Sequence, residues 1–124
     1  MPTKKILVVD DEPEVRQLME HFLTERGYEV CIAENGRLAL AALDTFMADV
    51  VLLDMHMPEM DGLETLKRLA VRSPSLPVIM VTVNEDVETT THLLQMGAAD
   101  YVPKPFNLDY LEQAINIQLS ATRD

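Results

Sequence analysis

Val50 to Leu53 is an unbroken apolar run that ends in a carboxylate, and this pattern restricts the fold more than anything else in the chain. Nothing in VVLL alternates and β-branched residues lead it, so it reads as a strand buried on both faces. A strand covered on both sides requires helices above and below its sheet. Asp54 then stands where the strand leaves the sheet, and Pro58 and Gly62 mark a loop instead of a longer strand. On this residue alone, a turn or a helix cap explains Asp54 as well as a ligand site does. The other strand ends separate the two.

The same design recurs along the chain. Lys5 to Asp10 holds another apolar run, ILVV, closed by Asp10, Asp11 and Glu12, with Pro13 suited to the first turn of a helix. Val15, Leu18, Met19, Phe22 and Leu23 recur at helical spacing, and Gly27 is placed to stop that helix in a left-handed conformation. Tyr28 to Ala33 predicts a strand, and Asn35-Gly36 opens a helix carrying Leu38, Ala41, Ala42 and Leu43. Gly62 to Arg72 predicts a helix with Leu63, Leu66, Leu69 and Ala70 on one face, stopped by Ser73-Pro74-Ser75 and Pro77. Val78 to Val83 is another buried strand, and Asp86 to Met96 a weaker, threonine-rich helix ended by Gly97. Tyr101 to Lys104 predicts a short edge strand containing Pro103, and Leu108, Leu111, Ile115 and Leu119 a closing helix.

Five strands alternating with five helices over residues 1–124 predict one doubly wound α/β domain with a five-stranded parallel sheet. The flavodoxin-like strand order 2-1-3-4-5 puts a switch point between the first and third strands, and both of these end in aspartates.

Charge and cysteine content narrow the function. A net charge of −11 repels a phosphate backbone, which argues against direct nucleic-acid binding and favours divalent cations as ionic partners. Cys31 is the only cysteine, excludes an internal disulfide and is expected to fill core space. The N-terminal apolar run is too short for a signal peptide and nothing reaches membrane-spanning length, so the expected location is cytoplasmic, with no membrane partner.

The expected site lies at the carboxyl edge of the sheet. Asp10, Asp11 and Asp54 converge there, and two unit charges about 4 Å apart at an effective dielectric near 20 repel by roughly 4 kcal/mol. Such a cluster needs a cation or a protonated member, and Mg²⁺, an oxygen-seeking ion, suits it. Thr82 and Lys104 end the fourth and fifth strands, bringing a hydroxyl and an ammonium to the same edge. An ammonium there could neutralise charge developing in phosphoryl transfer.

DDE after the first strand, LLDMHMPEMDG after the third, VT at the fourth and KPF after the fifth occur together and in order. With these motifs the chain resembles a response-regulator receiver domain of the CheY-like type, over essentially its whole length. The resemblance implies that Asp54 is the phosphoacceptor, attacking the phosphohistidine of a sensor histidine kinase or phosphotransfer protein. It implies Mg²⁺ held by Asp11, Asp54 and the His56 backbone carbonyl, with Asp10 acting through water. Lys104 would pair with Asp54 or its phosphoryl group across a cis Lys104-Pro105 bond, and Thr82 and Tyr101 would form the switch pair. An effector would read the face made by the fourth helix, fifth strand and fifth helix. The domain would not be an enzyme in its own right, although it would assist its own phosphorylation and dephosphorylation.

Departures from the family pattern matter as well. Val83 stands where alanine or glycine is usual, and with His56 and Asn84 it forms a set of expected rate modulators. His56 has no second histidine at ligand spacing, which favours its backbone role. The closing helix has no Lys or Arg from Pro105 to Thr122, so it lacks the charge pairs by which many DNA-binding regulators dimerise. Two other functions fit parts of the pattern. A haloacid-dehalogenase-type phosphatase shares the strand-end aspartate and Mg²⁺ but wants a second acid where His56 stands; a receiver-like binding module that never takes phosphate usually lacks one of the acids or the lysine.

Overall fold

Each of the predicted apolar runs forms a strand, and each helical repeat forms a helix, in the computed structural model, which describes residues 3–57, 60–83 and 87–121. The elements follow as β1 (Lys5–Val9), α1 (Pro13–Glu25), β2 (Glu29–Ala33), α2 (Gly36–Ala42) and β3 (Val50–Asp54). They continue as α3 (Gly62–Arg72), β4 (Val78–Thr82), α4 (Val87–Gln95), β5 (Asp100–Pro103) and α5 (Leu108–Ala121). All strands pair in parallel, in the order β2-β1-β3-β4-β5. Helices α1 and α4 give way to Gly27 and Gly97, whose φ angles of 94° and 113° few other residues adopt.

The period of two along each strand divides the core into two layers. Ile6, Val8, Val50, Leu52, Ile79 and Val81 face one side, where Met19 and Leu23 of α1 and Leu111, Ile115 and Leu119 of α5 cover them. Leu7, Val9, Val51, Leu53, Val78 and Met80 face the other, against Ala39 of α2, Leu66 and Leu69 of α3 and Leu93 of α4. Burying such a side chain contributes about 1.5–3 kcal/mol, so the middle of the sheet anchors the domain.

Several expectations are corrected. Leu18 keeps helical spacing yet is 48% exposed, because Met19 and Leu23 already fill the seam of α1. Leu38 is likewise exposed, and the buried positions of α2 are Gly36 and Ala39, since this short helix approaches α3 too closely for larger side chains. Cys31 sits at the half-buried margin of the second layer instead of filling the core, because β2 is an edge strand; burial and then the Glu20 charge push its thiol pKa up. β5 begins and ends one residue earlier than expected, and β4 ends at Thr82, leaving Val83 in a bend. Asn84 and the predicted first residue of α4, Asp86, lie outside the described residues.

Candidate functional site

Because β1 and β3 are neighbours in register, with Val9 opposite Leu53, the residues that follow them emerge side by side. Asp10 is 1% exposed, Asp54 is 4% exposed and Asp11 is half-buried. One carboxylate oxygen from each lies within 4.8 Å of the others. The sequence expectation of three converging acids therefore holds in space.

Among the described residues, the cation that answers them is Lys104. Its backbone N–H donates to the Thr82 carbonyl at 2.7 Å, which carries the residue just past the end of the β4–β5 ladder. From there Nζ lies 2.9 Å from Asp10 Oδ2, 3.3 Å from Asp54 Oδ1 and 3.4 Å from Glu12 Oε1. The shortest of these contacts is to Asp10. Lys104 thus spans the two buried acids instead of pairing with Asp54 alone. The Lys104-Pro105 bond is cis, as the resemblance implied.

Asp54 is the less satisfied of the two buried acids. Its Oδ1 also accepts a long 3.4 Å bond from the His56 N–H. Burial first, and the Asp10 charge second, push its carboxyl pKa up to about 6, and Lys104 and the His56 bond only partly oppose this. Burial alone would depress the Lys104 ammonium, but the bond to Asp10 and the charges of Asp10 and Asp54 hold it above its ordinary value. By contrast, Asp10 has a partner for each oxygen, since Oδ1 accepts the Glu12 N–H at 2.9 Å and Oδ2 takes Lys104.

Local chain geometry keeps Asp54 in place. Gly62 N–H donates to the Met55 carbonyl at 2.9 Å, tying the first residue of α3 to the residue after β3. A Cβ on Gly62 would stand 2.4 Å from the Asp54 carbonyl oxygen, so only glycine lets α3 begin this close to the strand end. Asp61 then caps α3 by accepting the Glu64 N–H at 2.9 Å.

The remaining predicted residues distribute as follows. Thr82 is buried at the end of β4, and its hydroxyl donates to the Met55 sulfur at 3.8 Å. Tyr101 is half-buried against the layer that also holds Met55, Leu93 and Met96. The His56 side chain is exposed. Val83 is 60% exposed. Two contacts were not anticipated. Glu12 reaches Lys104, and Arg16 Nη1 donates to the Asp10 carbonyl at 2.8 Å. The signal for the second was available, because Arg16 falls in the opening turns of a helix that starts directly after the acids.

All donors at the three-aspartate cluster are oxygens, the ligand type that Mg²⁺ and Ca²⁺ prefer. With the three aspartates ionised, Lys104 still leaves two negative charges, which matches a divalent ion.

Comparison with known proteins agrees with this geometry. The family described as response regulator receiver domain matches residues 6–116. The regulatory protein AtoC of Escherichia coli is 42% identical over 118 residues, an alignment covering 92% of this chain and 26% of AtoC. The DNA-binding transcriptional regulator NtrC of Salmonella typhimurium is 43% identical, over 84% of this chain and 22% of its own. This chain therefore spans about a quarter of the length of these curated relatives. Among solved structures, the receiver domain of the Francisella response regulator 1452 superposes with a TM-score of 0.92 at 32% identity, covering 98% of this chain and 100% of that one.

Proposed function

Because the chain belongs to the response regulator receiver domain family, we propose that Asp54 is its phosphoacceptor and that residues 1–124 act as a single phosphorylation switch. The observation that carries this reading is the Asp54 carboxylate, buried at the end of β3, with Lys104 Nζ 3.3 Å from Oδ1 and two further aspartates within reach.

In the proposed reaction an Asp54 oxygen attacks the phosphorus of a phosphohistidine on a sensor kinase or phosphotransfer protein. A P–O bond forms, the P–N bond breaks, and the imidazole leaves with its electron pair and takes a proton from solvent. Above about pH 6 Asp54 carries the charge a nucleophile requires. Lys104 already contacts the attacking carboxylate and is placed to balance charge on the transferred group. Asp11, Asp54 and the His56 carbonyl, with Asp10 through water, would hold Mg²⁺, which supplies electrostatic stabilisation to the phosphoryl oxygens when bound. The Thr82 hydroxyl would exchange the Met55 sulfur for a phosphoryl oxygen, and Tyr101 would follow Thr82 further into the layer it already touches. An effector would read the resulting change on the α4–β5–α5 face. No described helix is long and apolar enough to cross a membrane, and a cytoplasmic partnership with a kinase fits the reading.

Labelling with radioactive acetyl phosphate and Mg²⁺ tests the proposal. A stable label that Asp54→Asn abolishes is expected; no label would instead indicate a binding module, and a rapidly lost label a phosphatase. NMR with a beryllofluoride mimic tests the switch, and shifts confined to the Asp54 loop would refute coupling to Tyr101.

A further inference from the structure

Arg16 does something for the acidic site that no acid in it can do for itself. The ladder between β1 and β2 closes with the Asp10 N–H donating to the Ala33 carbonyl at 3.1 Å. Beyond that point β2 has ended, and Asn35 has turned away to cap α2, accepting the Leu38 N–H at 2.8 Å. The Asp10 carbonyl thus lies past the strand pairing, and a buried carbonyl without a donor is costly. Arg16 Nη1 supplies that donor at 2.8 Å from α1, where its own N–H is fixed to the Glu12 carbonyl at 3.0 Å.

That carbonyl belongs to the planar peptide unit joining Asp10 to Asp11. Holding its oxygen sets the plane from which Asp11 departs. The Asp10 side chain is already held by Glu12 N–H and Lys104, so the guanidinium is the side-chain contact acting on the peptide itself. The side chain of Arg16 is not packed into the core. It forms one wall of an open cleft of about 350 Å³ with Ile32, Ala33, Glu34 and Leu38, so shortening it enlarges a wet cleft and leaves no dry cavity.

We propose that Arg16 is a positioning residue for metal binding and phosphoryl transfer, fixing the Asp10–Asp11 peptide so that the Asp11 carboxylate faces Asp54. This rests on the reading of Asp10, Asp11 and Asp54 as a metal-assisted phosphoacceptor site. Charge and position predict opposite signs. As a bare positive charge, Arg16 would oppose a dication, and neutralising it would tighten Mg²⁺ binding. As a positioning group, it favours the metal, and its loss weakens binding.

Calorimetric Mg²⁺ titration of the full chain, without phosphodonor, separates these. Arg16→Gln is neutral and too short to reach the carbonyl, and it should weaken Mg²⁺ binding about tenfold, the lower end of what lost outer-shell support costs. Arg16→Lys, which can still place one donor there, should stay within about threefold of wild type. Arg16→Met keeps the apolar stem without a donor and gives the same reading from a second neutral chain. Metal-free melting temperatures should change little in all of them. Unchanged or tighter Mg²⁺ binding in the two neutral variants overturns the proposal, as does a lowered melting temperature with unaltered Mg²⁺ affinity. Failure of the wild type to bind Mg²⁺ at all would overturn the site reading itself, a distinct result.

Discussion

Two aspartates bracket the same buried strand and live under opposite rules. Asp49 precedes β3, and its Oδ2 accepts the Lys5 N–H at 2.7 Å, a bond that joins β1 to the start of β3. Asp54 ends β3 and, among the described residues, has only the long 3.4 Å bond from the His56 N–H as a backbone donor; its carboxylate lies between Asp10 and Lys104, and burial pushes its pKa to about 6. A single well-placed N–H settles the first acid. The second is left with a collective field that one lysine cannot balance, which makes it ready to exchange partners. The difference lies in the edge of the sheet: at the carboxyl edge the neighbouring strand also delivers an acid, whereas at the amino edge it delivers an amide.

Chemistry separates the two aspartates most widely. Asp54→Asn should lower acetyl phosphate labelling more than a hundredfold, while Asp49→Asn leaves the rate within about twofold, because only one of the two is the proposed nucleophile. Equal losses in both variants would show that labelling depends on the integrity of β3 and not on the Asp54 carboxylate.

Mg²⁺ sharpens the contrast thermodynamically. Ligand linkage predicts about 2.7 kcal/mol of added stability at a hundredfold excess over Kd, in wild type and in Asp49→Asn alike. Without metal, Asp54→Asn should be more stable than wild type, since it removes a buried charge that repels Asp10. Thermal melts with and without Mg²⁺ measure both, and a melting point indifferent to metal and to Asp54→Asn would sink the three-carboxylate site.

The pH dependence of metal-free stability is next in size. Asp54 titrates near 6 in the folded chain and near 3.8 when unfolded, so below 3.8 it is protonated in both states and its contribution is fully present. Between 3.8 and about 6 the unfolded chain gives up the proton first, and stability should fall as pH rises. The loss should be on the order of 2 kcal/mol, since a tenfold change in proton affinity is worth about 1.4 kcal/mol. Lys104, with a raised pKa, stays charged in both states throughout that window. Denaturant curves at pH 4 and pH 7 should show the fall in wild type and Asp49→Asn, and its absence in Asp54→Asn.

Val83 gives the smallest effect. A packing role would make its truncation destabilising, but a side chain 60% exposed in the bend after β4 predicts a change within about 0.5 kcal/mol for Val83→Ala. If its methyls crowd the approach to Asp54, labelling and phosphate release should both quicken by about two- to threefold, because in-line transfer depends on positioning. Stopped-flow labelling decides, and unchanged rates would refute the gate.

The sheet, and where its chemistry collects, were legible in the order of residues alone. Unbroken apolar runs such as ILVV, VVLL and VIMV admit burial on both faces only, and the acids, threonine and lysine at their ends follow from position along the chain. Resemblance to the receiver family added roles for those residues. What the tertiary structure decided was partnership and degree. Helical spacing could not reveal that Leu18 is half exposed or that α2 packs through Gly36 and Ala39, because spacing fixes a face but not how closely a neighbour approaches it. Nor could it say that Lys104 lies nearer Asp10 than Asp54, or that Arg16 reaches back to the Asp10 carbonyl. Those contacts depend on differences of a few tenths of an ångström to a few ångströms between long side chains, set by where β1, β4 and α1 end relative to one another. A periodic pattern places residues in an element; only the packed elements fix the distances between their ends.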